Sequence, residues 1–213
     1  MKGEINMVKK EFKYGTVIKG KDLKEKVLCM ILNEDMKNED FQCKLGKNEK
    51  SSGTFCVFEI KYLFEFISYG IKLAMISIPE DGEIQVGAGK YYVSKLIIND
   101  IMDLDEISTW KYLKKNNLIN IDENNFLLFK ILVQHGVLNA IKYLCESNEV
   151  FMNYADFAIV WAAQSGHLDV VKYLYESGKV KSCADIAMRH AKEYGHFEIF
   201  EYLRKCGVEV GEK

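Results

Sequence analysis

The chain has 213 residues, 48% of them hydrophobic, which is enough for a packed core and for one or two domains. A formal charge of −2 and a pI near 6.1 argue against the basic face that nucleic-acid binding requires. No stretch reaches the roughly 18 apolar residues of a membrane span, and the N-terminus carries no apolar signal core, so neither a nucleic acid nor a membrane is expected as partner.

The first hundred residues alternate between strand and turn signals. Lys10 to Ile18 and Phe41 to Leu45 alternate apolar and polar residues as half-exposed strands do. Between them Lys21 to Leu32 is helix-permissive, with Leu23, Val27 and Leu28 on one side, and Asn33 to Asp40 reads as a polar loop. Lys47 to Gly53 has the Lys, Asn, Ser and Gly content of a turn or flexible loop. Thr54 to Phe58 reads as a buried strand, Glu59 to Ser68 as a short amphipathic helix, and Ile71 to Ile78 as the strongest strand candidate. Pro79-Glu80-Asp81-Gly82 has the residue order of a β-turn, Glu83 to Val86 reads as a return strand, and Tyr92 to Ile98 as a last strand.

After Asp103 the texture changes to a helical repeat. Ala155 to Gly178 and Ala184 to Gly207 align without a gap. They share Ala-Asp at the start, Gly-His at the turn (Gly166-His167, Gly195-His196), Tyr-Leu in the second helix and a closing Gly. Gly136 opens an earlier copy, and Tyr112, Tyr143, Tyr173 and Tyr202 step by 31, 30 and 29 residues. Glycine at the turn permits a left-handed backbone between two antiparallel helices. Asp156 and Asp185 stand where a helix N-cap is expected. The four tyrosines read as packing residues, and small Ala162, Ala163 and Ala191 allow close helix approach.

The stretch Ala162 to Gly178 resembles the ankyrin repeat at its paired alanines, its Gly-His, the acidic residue before Val-Val, the Lys-x-Leu and the closing glycine. The Thr-Pro-Leu-His opening of an ankyrin unit is missing, and the period is about three residues shorter than 33, so short or irregular inter-repeat loops are expected in place of β-hairpin fingers. The upstream segments resemble the N-terminal module that precedes ankyrin repeats in proteins of giant, mimivirus-like DNA viruses of amoebae. Its carriers are Phe41 to Gly46, Gly53-Thr54-Phe55, Phe66 to Gly70, Ile76 to Asp81 and Tyr92 to Ile98. The usual Cys-x-x-Gly-Gly before the aromatic strand is Ser51-Ser52-Gly53-Thr54 here. The resemblance implies a viral origin and a role in infected cells.

Candidate chemistry is thin. The six cysteines (Cys29, Cys43, Cys56, Cys145, Cys183, Cys206) have neither Cys-x-x-Cys nor zinc spacing, and read as free thiols in a reducing intracellular compartment, the host cytoplasm or the virion. His135, His167, His190 and His196 all fall in the repeats. No phosphate loop, nucleophile elbow or metalloprotease motif is present, so no catalytic residue, metal or cofactor is expected. His167 and His196 read as structural caps that define the repeat, with Gly136, Gly166 and Gly195. The candidate partner contacts are Phe151 and Tyr154, aromatic residues in an inter-repeat loop, with Lys181, Arg189 and Lys192; the competing reading of the two aromatic residues is that they fold back to cover the gap left by the missing hairpin.

The expected fold class is an α+β N-terminal module, residues 1–103, followed by an all-α ankyrin-like helical solenoid, residues 104–213. Its repeats are partial 104–117, then 118–148, 149–178 and 179–207, with a tail at 208–213. The expected function is a non-enzymatic protein-protein interaction protein, a monomer whose repeats dock a viral or host protein while the module caps the array. The alternative is that the module is a degenerate or unrecognised nucleotide-handling enzyme targeted by the repeats. A pocket of convergent polar groups in the module would separate the two.

Overall fold

The computed structural model describes residues 12–120, 125–147, 149–180 and 182–209. Its first part is built on strands β1 (Val17–Lys19), β2 (Leu28–Leu32), β3 (Lys37–Asn38), β4 (Phe41–Gln42), β5 (Gly46–Glu49), β6 (Phe55–Glu59), β7 (Lys72–Ser77), β8 (Glu83–Val86), β9 (Tyr91–Val93) and β10 (Lys95–Asp103). Strands β3 and β4 form a separate hairpin; the other eight form one antiparallel sheet in the order β1-β8-β9-β6-β2-β7-β10-β5.

A single residue, Ser94, separates β9 from β10. Yet β9 lies between β6 and β8, whereas β10 lies between β5 and β7. One run of chain thus serves two separated places in the sheet, and the sheet has to curl on itself to allow it. Inside the curl lie Leu28, Met30, Leu32, Phe55, Val57, Ala74, Ile76, Leu96 and Ile98. The alternate residues Cys29, Ile31, Phe58 and Leu73 point to the other face, where they join a second core with Leu63, Phe64 and Ile67. The Pro79 turn is closed by the Gly82 amide donating to the Pro79 carbonyl at 2.8 Å.

Several sequence expectations are corrected here. Lys21 to Leu32 is not a helix: a 3₁₀ turn at Gly20–Leu23 is followed by β2, all five residues of which are buried. A strand covered on both faces needs a continuous apolar run, and such a run carries no period that separates it from a helix. Lys47 to Glu49 pairs with β10 instead of looping, and the bend is confined to Ser51-Ser52-Gly53. Asn48, a turn former by composition, is buried there because its amide bonds the Lys44 and Gly46 carbonyls and accepts from the Lys44 amide. The expected first strand shrinks to Val17–Lys19, and Lys10 and Glu11 lie outside the described residues. Glu59 to Ser68 is a single helical turn, α1 (Leu63–Phe66), between two 3₁₀ turns. Tyr92 to Ile98 is split at Ser94 between β9 and β10.

At the end of β6, Glu59 is largely buried between Lys26 at 2.6 Å and Lys61 at 3.0 Å, and accepts a hydrogen bond from the Tyr91 hydroxyl at 3.1 Å. Burial alone would raise its pKa, but the two ammonium groups overcome burial and hold it below the ordinary glutamate value. A depressed folded-state pKa adds stability above the unfolded value, about 4.3, which is lost as pH falls through the folded one. Glu59→Gln should therefore cost about 2 kcal/mol at neutral pH. That cost should shrink steadily below about pH 4.3, as read from urea midpoints of the two proteins across pH.

The second part is helical: α2 (Ile107–Lys115), α3 (Asn125–Gln134), α4 (Leu138–Ser147), α5 (Ala155–Ser165), α6 (Leu168–Glu176), α7 (Ala184–Glu193) and α8 (Phe197–Lys205). Helix α2 follows β10 directly and is anchored by Trp110, fully buried, whose indole N–H donates to the Leu104 carbonyl at 2.6 Å. Tyr112, on the same helix, is 47% exposed and so departs from the packing position expected of it; Tyr143, Tyr173 and Tyr202 are half-buried. From α3 onward the helices form hairpins α3/α4, α5/α6 and α7/α8, with α5 packed between α3 and α7. Alanines at 158, 162, 163, 187 and 191 are all buried. Between α4 and α5 the chain forms a 3₁₀ run at Glu149–Tyr154, and no strand lies between the helices among the described residues.

The second core runs across both parts without a break. It joins Cys29, Ile31, Phe58, Phe64 and Phe66 of the strand region to Trp110, Leu128, Phe129, Leu132 and Ile159 of the helices. That is why β2 is apolar on its outward side as well.

Candidate interaction surface

The helical surface owes its shape to a contact that recurs between hairpins. Gly136 and Gly166 turn with φ of 67° and 83°, the left-handed region where a side chain is disfavoured. The imidazole of the next Gly-His pair lies flat against each. A Cβ on Gly136 would stand 2.4 Å from His167 Nδ1, and one on Gly166 2.6 Å from His196 Cε1. Each ring also reaches the hairpin before it: His167 Nε2 donates to the Gln134 carbonyl at 2.8 Å and His196 Nε2 to the Gln164 carbonyl at 3.1 Å. Gly and His are thus two halves of a joint made between neighbouring units. Gly195 has the same backbone, φ 81°, with nothing within 4 Å of its Cβ position.

Asp156 does a related job, not the N-cap role expected of it. Its carboxylate accepts from the Ser182 and Cys183 amides at 2.9 and 3.1 Å, in the loop that leads to α7, while Tyr154 occupies the N-cap of α5. Asp185, the equivalent residue of the last hairpin, pairs with Arg189 at 3.2 Å on its own helix.

With hairpins held in this register, one face of the first helices carries a cluster of aromatic side chains in mutual contact. Phe126 on α3 sits edge-on to Tyr154 at 5.1 Å and to Trp161 of α5 at 5.5 Å. Phe157 stacks on Trp161 at 6.1 Å, and the Lys130 ammonium lies 5.7 Å from the Trp161 ring. Phe126, Leu127 and Phe157 are 46%, 48% and 57% exposed. Large apolar groups left in water within reach of one another are costly to the fold, and such groups anchor interfaces.

The residues expected from sequence as partner contacts fare differently. Phe151 is fully buried against Phe129, ring centroids 5.3 Å apart, and is corrected to a core residue: the 3₁₀ run folds it back into the space that a projecting hairpin would leave. Tyr154 is half-buried at the edge of the aromatic cluster. Lys181 lies outside the described residues. Arg189 and Lys192 correspond in the gap-free alignment to Val160 and Ala163 of α5; Ala163 is fully buried where α7 packs on α5. They make the outer side of α7 polar, and Lys192 lies 5.8 Å from the Phe200 ring.

Sequence reasoning missed Phe126, Leu127, Phe157 and Trp161, although a signal existed. Residues 126–133 carry more apolar side chains than one buried stripe can accept, and the surplus must face outward. Among the described residues no group of three or more His, Cys, Asp or Glu is arranged to hold a metal ion, and no helix is long and apolar enough to cross a membrane.

Residues 96–185 match the family of ankyrin repeats, in three copies. That stretch carries ankyrin repeats. Ankyrin repeats are protein-interaction units, which accords with an exposed aromatic face. The chain is also 28% identical, over 72% of its length and 84% of the relative's, to the ankyrin repeat protein R868 of Acanthamoeba polyphaga mimivirus. No solved structure matches it significantly. The ankyrin match starts inside β10 and ends at the start of α7, so the α7/α8 hairpin, with its Gly195-His196 turn, extends the pattern past the matched residues.

Proposed function

We propose that this chain is a non-enzymatic docking protein whose ankyrin repeats, stacked as a short solenoid over residues 104–213, bind a viral or host protein in the infected cell. Residues 1–103 form a module that caps the first exposed end of the array. The observation that carries the reading is the aromatic cluster on the first helices, in which Phe126 and Phe157 are exposed beside Trp161, itself partly buried against the core. The capping role is supported by the shared core, in which Phe58, Phe64 and Phe66 pack with Leu128 and Phe129. Likeness to a mimivirus protein supports the viral setting.

The test is affinity capture from infected amoebal lysate with the intact chain and with a Phe157→Ser/Trp161→Ser variant of unchanged unfolding midpoint. A partner held by the intact chain should bind the variant at least about thirtyfold more weakly, the loss typical of central aromatic anchors. Equal capture by both proteins would remove the first-helix face from the reading and leave the module as the contact surface.

A further inference from the structure

The charges around the aromatic face say what kind of segment it would accept, an inference that rests on the docking reading above. Over its described residues, Asn125–Gln134, helix α3 carries no carboxylate. On the neighbouring first helices Asp156 is held by the Ser182 and Cys183 amides and Asp185 by Arg189, while Glu193, largely exposed, lies 3.7 Å from His190. Lys130 has no carboxylate partner among the described residues; its ammonium rests over Trp161, in the middle of the exposed cluster.

We propose that the face binds an acidic, apolar segment of a partner protein. Aromatic or aliphatic side chains of the segment cover Phe126, Leu127 and Phe157, and an Asp or Glu carboxylate pairs with Lys130. An ammonium over an indole is already partly stripped of water on the ring side, so a carboxylate arriving from the open side meets a cation that gives up little hydration. Apolar contact on either side lowers the local dielectric and strengthens the pair. The pairing also selects: a basic segment would bring like charge onto Lys130.

The experiment is selection of a random displayed-peptide library on the full-length chain, on Phe157→Ser/Trp161→Ser and on Lys130→Glu, each shown to unfold at the same midpoint. Peptides enriched on the intact chain should combine aromatic or aliphatic residues with Asp or Glu, and lose binding to the serine variant. On Lys130→Glu the acidic preference should vanish, with the best acidic peptide weakened about tenfold at low salt and less at high salt. Peptides that need Phe157 and Trp161 but show no acidic preference, or bind Lys130→Glu equally, would overturn the acidic partner and leave docking intact. Absence of any peptide dependent on the aromatic cluster would overturn both. A concentration-dependent dimer that Phe157→Ser abolishes would assign the face to a second copy of the chain, and the proposal would fall.

Discussion

Gly166→Ala is expected to destabilise the protein by about 3 kcal/mol. About 1–2 kcal/mol comes from forcing an L-residue into the left-handed backbone at φ 83°. The remainder comes from His196: ring atoms at 2.6, 2.7 and 3.2 Å from the new methyl must move, and the Nε2 hydrogen bond to the Gln164 carbonyl is lost, worth about 1 kcal/mol. Gly136→Ala should behave alike, since its Cβ would meet His167 at 2.4 Å. The informative control is Gly195→Ala, which has the same backbone but open space around the site. It should cost only the backbone share. Urea midpoints of the three variants separate the two contributions; equal losses at all three glycines would mean that the imidazole contact contributes nothing to holding the hairpins together.

Residues 104–213 expressed alone are expected not to fold into a soluble unit. In the full chain Trp110, Leu113, Leu128, Phe129 and Leu132 share a core with Cys29, Ile31, Phe58, Leu63, Phe64, Phe66 and Leu73. Removing the strand region strips one side of that core. Each large apolar side chain returned to water costs about 1.5–3 kcal/mol, against a total stability of about 5–15 kcal/mol for a domain. Three helical hairpins have no reserve for such a loss. The fragment should aggregate or show helical circular dichroism without a cooperative melt. A monomeric fragment with a sharp melting transition would show that the strands and the ankyrin repeats are independent, and the capping role would be withdrawn.

How much of this was legible beforehand varies with the kind of signal. The α5/α6 and α7/α8 hairpins were plain, because Gly-His, Tyr-Leu and the closing glycine recur at a fixed offset and each local feature needs only its own turn or stripe. Strands β6, β7 and β8 were legible too, bounded by Pro79 and glycines. The β2 error was of another kind. Its residues Leu28 to Leu32 are apolar because two different cores meet on them, and nothing in five consecutive letters says that a second core exists. In the same way β5 looked like a loop because Asn48 is a turn former until its amide is given the Lys44 and Gly46 carbonyls.

The candidate surface divides along the same line. Phe151 and Tyr154 stood out because aromatic residues in a loop are costly to expose and anchor interfaces, but whether an aromatic residue there faces water or core depends on which cavity the loop closes over. By itself the sequence determined that hairpins would repeat and where each would turn, since these follow from periodicity and residue type. Tertiary structure alone decided that His167 and His196 grip the preceding unit, that Asp156 reaches forward to the next loop, and that exposed Phe126 and Phe157 converge on the partly buried Trp161 beside Lys130. Those relations join residues about 30 positions apart, and they exist only once stacking brings consecutive hairpins into register.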